Sequence, residues 1–124
     1  MQRHVLAVLV CVLATGVAAG GAAAQDTSSV QIRTIPLADG VYMLMGRGGN
    51  VGVSIGADGI FMVDDQYADM AGKIRAALDS LGGGPVRYVL NTHWHPDHTG
   101  GNEAFRKEGA LVFAHDNVRR RMAA

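Results

Sequence analysis

The sequence predicts an α/β fold in which helices pack on a sheet, and three observations carry that expectation. Short apolar runs separated by Gly-rich turn signals fill residues 30–63, the pattern switches to a helical period over 68–81, and two further apolar runs follow at 86–90 and 110–114. Strand, helix, strand, helix, strand in succession is what a layer of helices against a sheet requires.

Each element has a local reason. Val30, Ile32 and Ile35 begin an irregular edge strand, which Pro36 is expected to interrupt because a proline cannot donate to a ladder. After the Asp39-Gly40 turn signal, residues 41–44 read as a strand. Residues 50–55 form the next, with Val51, Val53 and Ile55 alternating against Gly52 and Ser54, and the glycine-rich stretch 46–49 joins the two. Asp58-Gly59 tolerates positive φ and marks a hairpin. It leads into Ile60-Phe61-Met62-Val63, apolar at every position and so expected to be buried on both faces. Met70, Ile74, Ala77, Leu78 and Leu81 then fall on one helical face, and Gly82-Gly83-Gly84-Pro85 ends that helix. The run at 86–90 reads as another buried strand, 102–107 as a short helix and 110–114 as the last strand.

Composition excludes some functions. Eleven Lys and Arg balance eleven Asp and Glu, so no basic footprint for nucleic acid exists, and the Arg119-Arg120-Arg121 cluster reads as a solvated helix face. At the other end, Arg3 and His4 precede an apolar run at 5–17, then small residues up to Ala24 and the polar Gln25. That is the three-part layout of a secretory signal peptide. Residues 1–24 are therefore expected to be removed, leaving 25–124 as the domain in the periplasm or outside the cell. A stable membrane anchor would need about twenty strongly apolar residues, and this run is shorter. Cys11 would leave with the leader, so no thiolate would serve as a nucleophile or ligand.

The chemistry concentrates in Asn91-Thr92-His93-Trp94-His95-Pro96-Asp97-His98-Thr99-Gly100-Gly101-Asn102, where three of the five histidines lie within six residues. This stretch follows a buried strand, and the carboxyl ends of strands are where α/β sheets bind ligands. Neutral imidazoles with a carboxylate suit zinc, with iron the alternative. His93 and His95, two apart in an extended turn, can point the same way. A turn can direct Asp97 and His98 at a second metal, with Pro96 stiffening the loop between the pairs. Trp94 is expected to pack on the sheet or line the rim.

The stretch resembles the H-x-H-x-D-H signature of the metallo-β-lactamase superfamily, followed by Thr-Gly-Gly-Asn; Gly48-Gly49-Asn50 and the strand ending at Val63-Asp64 match the order upstream. The resemblance implies the N-terminal half of an αββα sandwich. His93 and His95 would be ligands of a first metal, Asp97 and His98 of a second, and Asp64 a carboxylate bracing the ligand loop, although a turn or capping role would also suit it. It further implies a zinc hydrolase, with two zinc ions in the complete protein. A metal-activated hydroxide would attack an ester, thioester, lactam or phosphoester of a small-molecule substrate, and Asp97 would accept its proton. Iron-dependent relatives that oxidise persulfides carry the same motif, and a catalytically inactive metal-binding fragment is a further alternative. His115, in a strand-to-helix turn, is expected to stand outside the ligand set. The resemblance places the remaining ligands on a C-terminal half. The 124 residues alone are then expected to be inactive and to self-associate through the sheet face that half would cover.

Overall fold

A computed structural model of the chain describes residues 29–124, so the expected leader lies outside the described residues. Four strands form an antiparallel meander in chain order, β1 (Arg33–Ala38), β2 (Val41–Met45), β3 (Val51–Gly56) and β4 (Gly59–Val63). A 3-10 turn (Ala68–Met70) opens into α1 (Ala71–Ser80), which carries the chain back so that β5 (Val86–Asn91) pairs parallel with β4. A one-turn helix, α2 (Pro96–Thr99), and α3 (Asn102–Lys107) make the second crossover, to β6 (Leu111–Ala114), parallel with β5; α4 (Asp116–Met122) follows. The six strands lie in one mixed sheet in the order β1-β2-β3-β4-β5-β6. Strands β4, β5 and β6 therefore end on the same edge, and the segments leaving them share one rim.

The helices cover one face of this sheet. Leu44, Val51, Ile60, Met62 and Val89 point from the strands against Met70, Ile74 and Leu78 of the first crossover and Phe105 of α3, all at most 1% exposed. Ile74 and Leu78 are four apart, so they stand above one another on the buried stripe of α1. The opposite face is open among the described residues. Cross-strand pairing lines up Ser54, Phe61, Tyr88 and Leu111 in one row and Gly52, Val63, Leu90 and Phe113 in the next. Phe61, Tyr88 and Phe113 stack in tilted contacts of 6.4 and 5.9 Å and remain exposed.

Three expectations need correction. The runs at 60–63 and 86–90 are buried on one face only, because the described helices cover only that side. Pro36 does not interrupt β1: the strand is an edge, so the missing N–H breaks no inner ladder, and the irregularity is a bulge between Pro36 and Ala38. Strand β1 starts at Arg33, with Val30 and Ile32 packed against the core ahead of it. No helix among the described residues is long and apolar enough to cross a membrane.

Candidate metal centre

The centre is assembled where β4 and β5 end. Immediately after β4 the backbone adopts left-handed conformations at Asp64 (φ 63°) and Gln66 (φ 64°). Each costs a non-glycine residue on the order of 1–3 kcal/mol, so the surrounding contacts must hold them there. For Asp64 those contacts are clear. Its buried carboxylate accepts from the Thr92 backbone N–H at 2.8 Å, from the Thr92 hydroxyl at 2.7 Å, and lies 2.7 Å from His98 Nδ1.

Counting donors fixes the imidazoles. Thr92 Oγ1 spends its one proton on Asp64, so at 3.0 Å from His93 Nδ1 it is placed to accept a proton from that ring. His98 Nδ1 likewise donates to Asp64. Both rings are then held as tautomers whose Nε2 keeps its lone pair, the arrangement that a carboxylate behind a ligating histidine imposes.

His95 caps α2 from an extended conformation and Pro96 occupies its first turn. The stretch 96–99 is thus a helical turn rather than the stiffened loop expected, since proline's fixed φ suits the start of a helix. The His93 and His95 rings lie 4.8 Å apart in an edge contact, the His93 and His98 rings 3.9 Å apart, and Asp97 Oδ2 stands 3.4 Å from His98 Nε2. All four residues named from the sequence are therefore gathered in one cluster above Asp64. The tightest donor set is different: Asp64, His93 and His98 each offer a ligand atom within 4.8 Å of the others, and His95 and Asp97 stand outside it. With Asp64 engaged by Thr92 and by His98 Nδ1, the Nε2 lone pairs left free on the two imidazoles are the donors that suit a dication such as zinc.

His115 stands apart from the donor set of Asp64, His93 and His98. It is exposed, and its Nδ1 accepts from Asn117 N at 3.1 Å as the N-cap of α4. Trp94 is 40% exposed at the rim, in edge contact with the His95 ring and under the Arg121 guanidinium. A cleft of about 430 Å³ opens between β6 and α4, lined by Asn91, Asn102, Phe113, Arg119 and Met122. None of the clustered histidines lines it.

Sequence reasoning missed Asp65 and Gln66. Asp65 is fully buried, and burial pushes its carboxyl up to about 7; the Gly101 N–H opposes that, the charge of Asp64 adds to it, and His98 opposes it. Its Oδ1 accepts from Gly101 N at 2.9 Å, while Oδ2 has no partner among the described residues. Gln66, 1% exposed, holds two loops at once: its main-chain carbonyl accepts from Gly100 and Gly101, and its side-chain amide binds Gly48 and Gly49. Nothing local in sequence announces either role, because the partners lie 17 to 36 residues away.

A mixed sheet backed by helices, with a histidine and aspartate cluster at its carboxyl rim, defines an α/β metal-binding fold. The family model described as the metallo-beta-lactamase superfamily matches residues 46–122, more than half of the chain, and the chain belongs to that superfamily. Among solved structures it resembles the metallo-beta-lactamase from Hirschia baltica (TM-score 0.66, 27% identity, covering 75% of this chain and 47% of that one). It also resembles BJP-1, a subclass B3 metallo-beta-lactamase of Bradyrhizobium japonicum (0.61, 29%, 70% and 34%). A third is a mutant of the metallo-beta-lactamase with a HARLDQ motif from Cronobacter sakazakii (0.67, 26%, 73% and 37%). The chain thus spans 34% to 47% of the length of these structures. The search of curated proteins returned no match.

Proposed function

We propose that this chain carries the first metal-binding half of an exported zinc hydrolase. The observation that supports it most is the convergence of Asp64, His93 and His98 donor atoms within 4.8 Å at the carboxyl rim, with the Thr92 and Asp64 relay behind both imidazoles. In this reading His93 and His95 hold one zinc, Asp97 and His98 a second, and Asp64 orients His98. Bound there, zinc supplies Lewis acidity and lowers the pKa of a coordinated water. Asp97 holds the proton-accepting carboxylate at Oδ2, and Trp94 shields the rim from bulk water. Similarity to metallo-beta-lactamases from Hirschia baltica and Bradyrhizobium japonicum, with a leader-like N-terminus, favours a lactam over the thioester, other ester and phosphoester alternatives.

A catalytic zinc takes three protein ligands, and His93 and His95 are two. We therefore propose that the 124-residue chain binds zinc weakly and hydrolyses nothing alone, and that it self-associates through the open sheet face that carries Phe61, Tyr88 and Phe113. The test is elemental analysis and chelator competition on the chain and its variants. Zinc should be retained by the chain and by His115→Ala, with affinity reduced about ten- to hundredfold or more in His93→Ala and His98→Ala. Loss only in His115→Ala would overturn the ligand set, iron alone would favour the persulfide-oxidising class, and chelator-sensitive turnover of nitrocefin would overturn the claim of incompleteness.

A further inference from the structure

We propose that Gln66 is a positioning residue for His98: its side-chain amide holds the Gly48-Gly49 peptide against the His98 ring, while its main chain fixes the glycine pair that ends the histidine loop. This rests on reading His98 as a metal ligand. Gln66 Oε1 accepts from Gly48 N at 2.9 Å and Nε2 donates to Gly49 O, so one buried amide supplies both halves of a ladder pair to the loop between β2 and β3. On its other side the Gln66 carbonyl accepts from Gly100 N at 2.8 Å and Gly101 N at 3.2 Å.

The glycines show how close the pieces are. A Cβ on Gly49 would stand 2.6 Å from His98 Nε2 and 2.9 Å from Nδ1, inside van der Waals contact with the ring. One on Gly48 would stand 2.7 Å from Asp97 Cβ and 2.8 Å from Tyr67 Cε2. One on Gly100 would meet the Ala68 nitrogen at 2.6 Å and the Gln66 carbonyl oxygen at 2.8 Å. Both glycine pairs are therefore places where bare backbone lies flat on its neighbour.

The His98 ring is consequently fixed from two directions. Asp64 holds its Nδ1, and the Gly48-Gly49 peptide covers it. The other anchors on that loop, the Arg47 to Asp69 ion pair at 3.0 Å and Arg47 over the Tyr67 ring, hold only the half-buried Arg47 side chain and leave the peptide over His98 to Gln66. Left-handed backbone at residue 66 aims the amide at the loop, which accounts for a non-glycine residue in a costly conformation.

The experiment compares Gln66→Met, which keeps the length and the main-chain carbonyl but loses both amide bonds, with Gly49→Ala, which keeps Gln66 and pushes on the ring. Two readouts are used: imidazole nitrogen NMR of the chelator-treated chain, and Co(II) affinity with its visible spectrum. Gln66→Met should retain its circular dichroism, shift or broaden the His98 ring resonances while leaving His115 unmoved, and weaken Co(II) binding about ten- to hundredfold. Gly49→Ala should do the same. A folded Gln66→Met with wild-type His98 resonances would overturn the proposal. If Gln66→Met does not fold, Gly49→Ala decides, and unchanged His98 resonances there would overturn it equally. His98→Ala serves as the separating control: unchanged Co(II) affinity in that variant would remove His98 from the ligand set, whereas the NMR shift in Gln66→Met would still stand or fall alone.

Discussion

The two faces of the sheet present opposite situations. On the helical face Met62, Ile74, Leu78, Val89 and Phe105 are fully buried, and each packs on residues from at least one crossover. On the other, Phe61, Tyr88, Leu90, Leu111 and Phe113 are equally large and apolar yet 38% to 57% exposed. Sequence patterning alone treats the two sets alike. Burial depends on what lies opposite a residue, and here only one side has an opposite within the described residues. The candidate metal centre lies where Asp64, Asp65 and Gln66 leave β4 among buried neighbours.

The largest effect that should separate the faces is on stability. Phe105→Ala is expected to cost about 3–5 kcal/mol, as for a large side chain removed from a close-packed core, whereas Tyr88→Ala should change the stability of dilute protein by less than about 1 kcal/mol. Urea melts at low concentration measure both, and comparable losses would show the open face to be covered after all.

A second expectation concerns association. Phe113→Lys, at the β6 edge of the open apolar face, should move the chain from a larger species to monomer in size-exclusion chromatography with light scattering, with little change in melting midpoint. Wild-type chain running as a monomer at tens of micromolar would argue against self-association through this face.

The smallest effect probes the buried rim. The carboxyl of Asp65, pushed up to about 7 in the folded chain from its ordinary 3.8, binds a proton on folding between those values. The folded state then holds more protons than the unfolded one, so this group makes stability fall as pH rises from about 4 to about 7. Asp65→Asn keeps an acceptor for Gly101 N and removes the titration. In the presence of chelator it should be more stable than the parent at pH 8, by on the order of 1 kcal/mol, and lose that advantage at pH 4. A parent and variant with parallel pH profiles would contradict the assignment.

Much of the fold was legible because its signals are local. The alternation of Val51, Val53 and Ile55, the Asp58-Gly59 turn, the stripe of Met70, Ile74 and Leu78, and the short helix at Asn102–Lys107 all depend on neighbours a few positions away. The spacing of His93, His95, Asp97 and His98 likewise drew attention to the rim. What stayed hidden depends on distant partners. Pro36 is tolerated because β1 happens to be the edge strand. Asp64 is drawn into the tightest donor set by Thr92 and His98, 28 and 34 residues on. Gln66 has no local pattern that distinguishes it from a surface glutamine, and its left-handed backbone can be read only once both glycine pairs are in place around it.

The division of the sheet into an antiparallel and a parallel half also sets an order in time. Strands β1 to β4 meet through tight turns of their immediate neighbours, whereas β5 and β6 join only after a helical crossover has been closed. Short hairpins form in roughly 1–10 μs, and contacts distant in sequence come later because chain closure must precede them. Thr92, His93 and His98 all lie beyond the first parallel pairing, so a chain that has formed only the meander has no place for an ion. A bound metal would accordingly leave the folding rate nearly unchanged and act by slowing unfolding, so that the centre serves as a latch on a structure already complete.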